Sequence, residues 1–189
     1  METLLGLSVG LALSAACGFR VFVPLLVMNV ASLGGQLHLS PEFALIGSYY
    51  ATVAFATATI LEVLGYYIPW LDHLLDIAAT PAAIIAGTLA TASLVINMSP
   101  FLKWTLALIA GGGIAGFVQG TTVLLRAQSA VSSAGIGNPL FSTLEGIGSV
   151  TTAVLAIFVP IFCLALIAFF CIFVIRKAGR LIIGKRKTV

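Results

Sequence analysis

The sequence predicts an all-α integral membrane protein with about five transmembrane helices, a short amphipathic or re-entrant helix, and a candidate inverted-topology repeat. Three observations carry that prediction. Hydrophobic residues make up 60% of the 189 positions and charged residues 8%, against about 45–50% and about 25% in an ordinary soluble domain. The apolar residues gather into runs able to cross a hydrocarbon core of about 30 Å. Six of the nine basic residues, Arg176, Lys177, Arg180, Lys185, Arg186 and Lys187, crowd the last 14 positions, as in a juxtamembrane cytoplasmic segment facing anionic headgroups. So few charges could not cover a water-exposed surface, which excludes a soluble enzyme, a nucleic-acid binder and a disordered tail. The chain divides into a single transmembrane domain, residues 1–175, with three basic and six acidic residues, and a basic cytoplasmic tail, residues 176–189.

Segment one covers about residues 3–33. At about 1.5 Å per residue it is about 45 Å long, so it must tilt or bend. Pro24 removes a backbone donor and clashes with the carbonyl of Arg20, which predicts a kink between Gly18 and Pro24. No Lys or Arg precedes the run, so it is a membrane helix rather than a secretory signal. After a turn-rich loop, residues 34–42, segment two covers about 43–67, carries Glu62 and ends in an aromatic cluster, Tyr66, Tyr67 and Trp70, of the interfacial kind. In residues 69–77, Leu71, Leu74 and Leu75 fall opposite Asp72, His73 and Asp76, which predicts a short amphipathic helix. Segment three follows from Thr80-Pro81 to about Met98. Segment four covers about 104–126, where Gly111-Gly112-Gly113 could loosen the helix into a broken one. Residues 127–143 form a polar loop with Gly135, Gly137 and Asn138-Pro139 as turn signals. Segment five covers about 144–175 and bends at Pro160. Five crossings with the tail inside put Lys103 inside, and the N-terminus, Asp72, Asp76 and the 127–143 loop outside.

Small residues recur every fourth position in two places. Gly6, Gly10, Ser14 and Gly18 line segment one; Gly112, Gly116 and Gly120 line segment four. Such faces admit a second helix at close range. Aligning Gly18-Phe19 with Gly116-Phe117 suggests an inverted-topology repeat, a plan that builds transporters around a midplane site; a tight bundle needs glycine ladders too. The same faces predict a homo-oligomer, most simply a dimer.

Charges inside apolar segments cost about 2.5–3.5 kcal/mol on insertion scales, so each must pair, face a cavity or snorkel. Arg20 lies deepest in its segment, with Glu62 or a bound anion as its partner. With Arg126, Gln119 and Asn29, these two form the candidate substrate-binding set. Asp72, His73, Asp76 and Glu145 form a candidate proton or cation relay. Plainer roles remain open: an ion pair fixing helix register for Arg20, snorkelling for Glu62, interfacial anchoring for Arg126 and Glu145, and a solvated face for Asp72 and Asp76. Cys17, Cys163 and Cys171 are scattered in apolar runs and behave as small hydrophobes. The sequence contains no metal motif, cofactor fingerprint or credible nucleophile–base pair, so no cofactor, no metal and no enzyme activity are expected.

Residues 14–32 (SAACGFRVFVPLLVMNVAS), 68–93 (IPWLDHLLDIAATPAAIIAGTLATAS), 111–129 (GGGIAGFVQGTTVLLRAQS) and 137–150 (GNPLFSTLEGIGSV) resemble a bacterial membrane family labelled domain of unknown function 4126. The resemblance covers residues 5 to about 160. It implies a small multi-span membrane protein, and no catalytic assignment comes with it. The expected function is a small transporter or channel of the bacterial inner membrane, for an anionic solute or a lipid phosphate, with its C-terminus cytoplasmic. The alternative is a non-transporting assembly protein whose glycine faces pack partner helices. Expected partners are membrane lipids, anionic headgroups at the basic tail, and further copies of the chain, with no nucleic acid.

Overall fold

The structure, a computed structural model, describes residues 2–133 and 138–185. It is helical over 87% of its residues, and no strand occurs among those described. The elements are α1 (Glu2–Cys17), α2 (Phe22–Leu33), a 3-10 helix (Pro41–Gly47), α3 (Tyr49–Gly65), α4 (Pro69–Leu94), α5 (Pro100–Leu106), a π-helical stretch (Ala107–Gly112), α6 (Gly113–Ser133), α7 (Asn138–Phe158) and α8 (Pro160–Lys185). Four helical stretches are long and apolar enough to cross a membrane: Leu74–Leu94, Pro100–Ser129, Leu140–Phe158 and Pro160–Lys177. The 3-10 helix and α3, bent by 58° at Ser48, pass the same test only when taken together as one span, which brings the count up to five. The protein is therefore a multi-pass membrane protein.

Proline placement explains several helix starts. Pro41, Pro69 and Pro100 stand in first turns, where an absent N–H costs nothing because no intrahelical acceptor is available. Pro160 opens α8 in the same way. Pro24 sits in the first turn of α2. It does not kink a continuous helix; α1 has already ended. The chain tightens through Gly18 N–H to Ala15 O (3.1 Å) and Phe19 N–H to Ala16 O (3.1 Å) and then reverses. The reversal follows from two contacts. Thr3 Oγ1 donates to Ile96 O (3.5 Å) near the start of α1, and Ser93 Oγ meets Met28 Sδ (3.6 Å) in the second half of α2. Both outer ends of α1 and α2 thus lie beside the end of α4, and Arg20 occupies the opposite tip.

That hairpin gives the bundle two ends. The Lys103 end holds the start of α1, residues 34–48, the end of α4, α5 and the α7–α8 turn. There Lys103 Nζ pairs with Glu42 Oε2 (2.9 Å), and Tyr49, Tyr50 and Phe101 are exposed. The arginine end holds the hairpin tip, the end of α3, the start of α4, the end of α6 and the start of α7. Cys163 Sγ meets Thr152 O (3.6 Å), eleven residues back, so α8 folds back along α7. Phe170 of α8 then shares a pocket with Phe19 at the hairpin tip. Arg176, Lys177 and Arg180 follow beyond it, on a helix that runs through the expected 175/176 boundary to Lys185.

Several expectations change. Segment five is two crossings, so Lys103 lies at the opposite end from the basic residues. Asp76, expected on the far side from the tail, lies at the tail's end instead. The amphipathic stretch 69–77 and segment three are one helix with Pro81 inside. The Gly111-Gly112-Gly113 run does not break segment four: a π-helical stretch carries α5 into α6, and Gly111 and Gly112 are buried. Loop 127–143 is shorter than expected, since α6 continues to Ser133 and α7 begins at Asn138. Gly135, Gly137, Arg186 and Lys187 lie outside the described residues.

The glycine ladders meet on α4. A Cβ at Gly10 would lie 2.9 Å from Thr91 Cα, one at Gly112 2.7 Å from Thr88 Oγ1, one at Gly116 3.0 Å from Ile84 Cγ1, and one at Gly6 would strike Leu94 O. Gly18 packs against Ala115 and Val118 of α6 instead, while Gly120 faces open space. Ser14 Oγ completes the α1–α4 seam with bonds to Gly87 O (2.6 Å) and Thr91 Oγ1 (2.8 Å). Residues 6, 10 and 14 match 94, 91 and 87, so α1 is antiparallel to α4; residues 111 and 116 match 91 and 84, so α6 is antiparallel to α4 too. The two ladders therefore run in the same direction. The ladders themselves are thus not an inverted pair, and an inverted repeat is not confirmed.

Gly10→Leu should lower the unfolding temperature in detergent by an amount equivalent to about 1–3 kcal/mol of overpacking. Gly120→Ala should leave it unchanged or raise it, by up to about 1 kcal/mol. Cysteines placed singly at exposed Gln36 and at Arg180 should react with a membrane-impermeant thiol reagent from opposite faces. Reaction from one face would mean that α7 and α8 are not separate crossings.

Candidate functional site

The hairpin tip forces a local problem. Val21 and Phe22 open α2, and their N–H groups have no intrahelical acceptor. Glu62, near the end of α3, takes both: Oε1 accepts from Val21 N (2.8 Å) and Oε2 from Phe22 N (3.1 Å). A carboxylate at a helix N-terminus also meets the positive end of the helix dipole. Glu62 is thus a cap supplied by another helix. It is not the ion-pair partner of Arg20, and it does not snorkel, being 7% exposed.

Arg20 is 1% exposed. Its Nη2 donates to Ser142 O (2.8 Å) and to Ser142 Oγ. Its Cζ lies 3.9 Å from the centroid of the Tyr66 ring, a cation–π contact. Nε and Nη1 have no hydrogen-bond partner, and no carboxylate among the described residues lies within ion-pair distance. A buried guanidinium with two idle donors bears a desolvation cost that its contacts with Ser142 and Tyr66 offset only in part.

Arg126 is arranged differently. Nη1 donates to Asp76 Oδ1 (2.8 Å), Nη2 to Glu145 Oε2, and Cζ lies 4.3 Å from the same Tyr66 ring. Arg126 and Glu145 are buried, so neither is an interfacial anchor. Asp76 turns to Arg126 rather than to a solvated face. The expected relay is therefore in part an ion network. The side chains of Asp72 and His73 lie outside the described residues, and no group of three His, Cys, Asp or Glu able to hold a metal occurs among those described.

Two other expected residues fall away from this cluster. Asn29 is a clasp near the Lys103 end: Nδ2 donates to Ile46 O (2.6 Å) and Ser48 O (3.0 Å), and Oδ1 accepts from Thr52 Oγ1 (2.7 Å). Gln119 is buried on α6, two turns back from Arg126. Conversely, Tyr66 and Ser142 belong to the cluster and were not expected there. Spacing could have found them: Tyr66 is one turn beyond Glu62, and Ser142 one turn before Glu145, each pair sharing a helix face. Tyr66 is buried rather than interfacial.

A cleft of about 520 Å³ opens beside Arg20. Val23 and Val27 of α2 form its floor, Thr59 and Val63 of α3 one wall, and Gly146 and Val150 of α7 the other. Thr59 Oγ1 is a further buried polar atom without a hydrogen-bond partner. At the arginine end Tyr67 Oη and Thr143 Oγ1 hydrogen-bond (3.0 Å), joining α3 to α7. A second cavity of about 660 Å³ lies near the Lys103 end, lined by Leu5, Val9, Leu94 and Phe158 among others.

Arg126→Ala should destabilise the protein by about 3–5 kcal/mol, because it strands Asp76 and Glu145 in a buried site. Arg126→Met combined with Asp76→Asn and Glu145→Gln should recover most of that loss. Thermal unfolding in detergent measures both; equal melting of the wild type and the single variant would show the network to be idle.

The chain matches no curated protein and no solved structure. The family model described as Domain of unknown function (DUF4126) matches residues 7–180, a span that takes in the hairpin, the whole ionic cluster and the first basic residues of α8. The chain belongs to that family.

Proposed function

We propose that the protein is a small membrane transporter in which Arg20 binds the anionic group of its substrate. One observation carries this reading: a fully buried guanidinium keeps two donors unpartnered at the edge of a cleft. An arginine retained only to fix helix register would close on a carboxylate. Here the nearest candidate, Glu62, is fully engaged by backbone N–H groups. A bound anion would satisfy the idle donors through charge-assisted hydrogen bonds.

The site lies close to one end of the bundle rather than at its middle. Glu62 is three residues from the end of α3, and Asp76 two residues into the span Leu74–Leu94. The arginine end also carries Arg176, Lys177 and Arg180, against Lys103 at the other. By the excess of Lys and Arg on cytoplasmic loops, the arginine end faces the cytoplasm. The rival assembly role and the homodimer both leaned on the glycine faces. Gly6, Gly10, Gly18, Gly112 and Gly116 are taken up by contacts within the chain, which leaves only Gly120 of the two ladders open to a partner helix.

Proteoliposomes supplied in turn with radiolabelled phosphate, sulfate and a fluorescent lipid phosphate test the proposal. The wild type should move at least one of them faster than protein-free vesicles do. Arg20→Ala should cut that flux by about tenfold or more, the loss of one charged hydrogen-bonding partner, and Arg20→Lys by less. Undiminished flux in Arg20→Ala, or no flux of any anion by the wild type, would overturn it.

A further inference from the structure

Resting on that reading, we infer that the ligand of the Arg20 cleft is an anionic lipid that enters sideways from the bilayer, its headgroup on Arg20 and one acyl chain along the groove between α3 and α7. Arg20, Tyr67, Ser142 and Thr143 gather at the arginine end of the cleft, with Thr59 further along α3 and Thr151 at the far end of the α7 wall. Between these groups the floor and walls are the apolar side chains of Val23, Leu26, Val27, Val63, Ile147 and Val150. From Ser142 to Thr151 the groove follows α7 for about 13 Å. A hydrated inorganic anion would fill the polar end and leave that apolar length empty, since apolar cavities take apolar matter rather than water. A headgroup joined to a hydrocarbon chain fills both parts.

The opening faces sideways. Ile147 and Val150 on the α7 lip are 59% and 46% exposed. They lie inside the span Leu140–Phe158, where the surroundings of an exposed apolar residue are lipid. Tyr67 and Thr143 bridge the arginine end, so a chain coming in between α3 and α7 meets no such bond. Lipid supply fits as well. Arg176, Lys177 and Arg180 project at the same end, and each basic residue near an anionic surface attracts it by about 1 kcal/mol.

Gly146 provides a clean test. It lines the groove, and a Cβ added there meets nothing within 4 Å, so Gly146→Phe fills the groove without displacing the fold. The full chain is placed in phosphatidylcholine nanodiscs containing phosphatidic acid with a spin label on one chain, and the immobilised fraction is measured by electron paramagnetic resonance. The wild type should immobilise labelled phosphatidic acid about tenfold more tightly than labelled phosphatidylcholine. Arg20→Ala and Gly146→Phe should each abolish the preference, with Gly146→Phe keeping the wild-type melting temperature, and millimolar inorganic phosphate should not displace the label. Displacement by phosphate in an Arg20-dependent way would overturn the lipid and leave the transporter standing. Equal immobilisation of both lipids, or a preference unchanged by both substitutions, would overturn the lipid site. Loss of dimer mass in Gly146→Phe, with no lipid preference in the wild type, would assign the groove to a second copy of the chain. Failure of both lipid and phosphate to engage Arg20 would take the transport reading down with it.

Discussion

A chain that reverses inside a membrane protein leaves backbone N–H groups where water cannot reach them. Unsatisfied groups there cost several kcal/mol each. The turn between α1 and α2 is such a place, and Glu62 resolves it by reaching from α3 to take Val21 and Phe22 N–H. The rest of the site depends on that choice. It fixes α3 against the start of α2, and it places Tyr66, one turn further on, under both guanidiniums. It also occupies both oxygens of the carboxylate nearest in the sequence plan to Arg20. Because α1 and α2 return to the same end, the bundle is divided into a polar, ionic end and an aromatic one carrying Lys103.

How much of this the sequence disclosed depends on which physical signal each feature leaves. Composition settles the membrane class, since charge content is a direct measure of exposure to water. Prolines mark helix starts well: Pro41, Pro69, Pro100 and Pro160 all sit in first turns. They mark reversals poorly. Pro24 and Pro160 were each compatible with a bent single crossing, and the structure folds the chain back at both. Nothing in a run of apolar residues distinguishes a long tilted helix from two short antiparallel ones. The pattern of contact with α4 and α7 decides it, and that pattern is tertiary. The missed turn at Pro160 inverted the expected side of Lys103, Asp76 and the 127–143 loop, and the missed reversal between α1 and α2 gave the two glycine ladders opposite directions. The intramembrane charges were legible individually, because each is costly and so stands out. Their pairing was not: Arg126 finds Asp76 and Glu145 from two other helices, separated from it by 50 and 19 positions.

The two arginines sit on one tyrosine ring yet are held in different ways. Arg126 is saturated by charge, with a carboxylate on each terminal nitrogen. Removing the arginine takes the shared cation from both carboxylates at once, so the network serves position rather than exchange. Arg20 has its counter-charges at a distance. Glu62 and Glu145 act on it through space, but neither makes contact. Coulomb attraction falls slowly with distance in a low-dielectric interior, whereas hydrogen bonds demand contact within about 3 Å.

On the proposed reading, separating the two functions suits Arg20 to a ligand that comes and goes. Glu62 and Glu145 offset part of the burial cost of its charge, while Arg126 adds to it. The donors of Arg20 remain idle, because those carboxylates are bonded elsewhere: Glu62 to the α2 N-terminus, Glu145 to Arg126. An arriving oxyanion therefore need not break an existing ion pair, although it still gives up its own hydration on entering. Ser142, which holds Nη2 through its carbonyl and hydroxyl, and Tyr66 keep the guanidinium in place while Nε and Nη1 wait. The same cap that makes the α1–α2 reversal possible thus leaves the adjacent arginine available. On the proposed reading, the backbone requirement of a buried turn and the chemistry of an anion site meet in one glutamate.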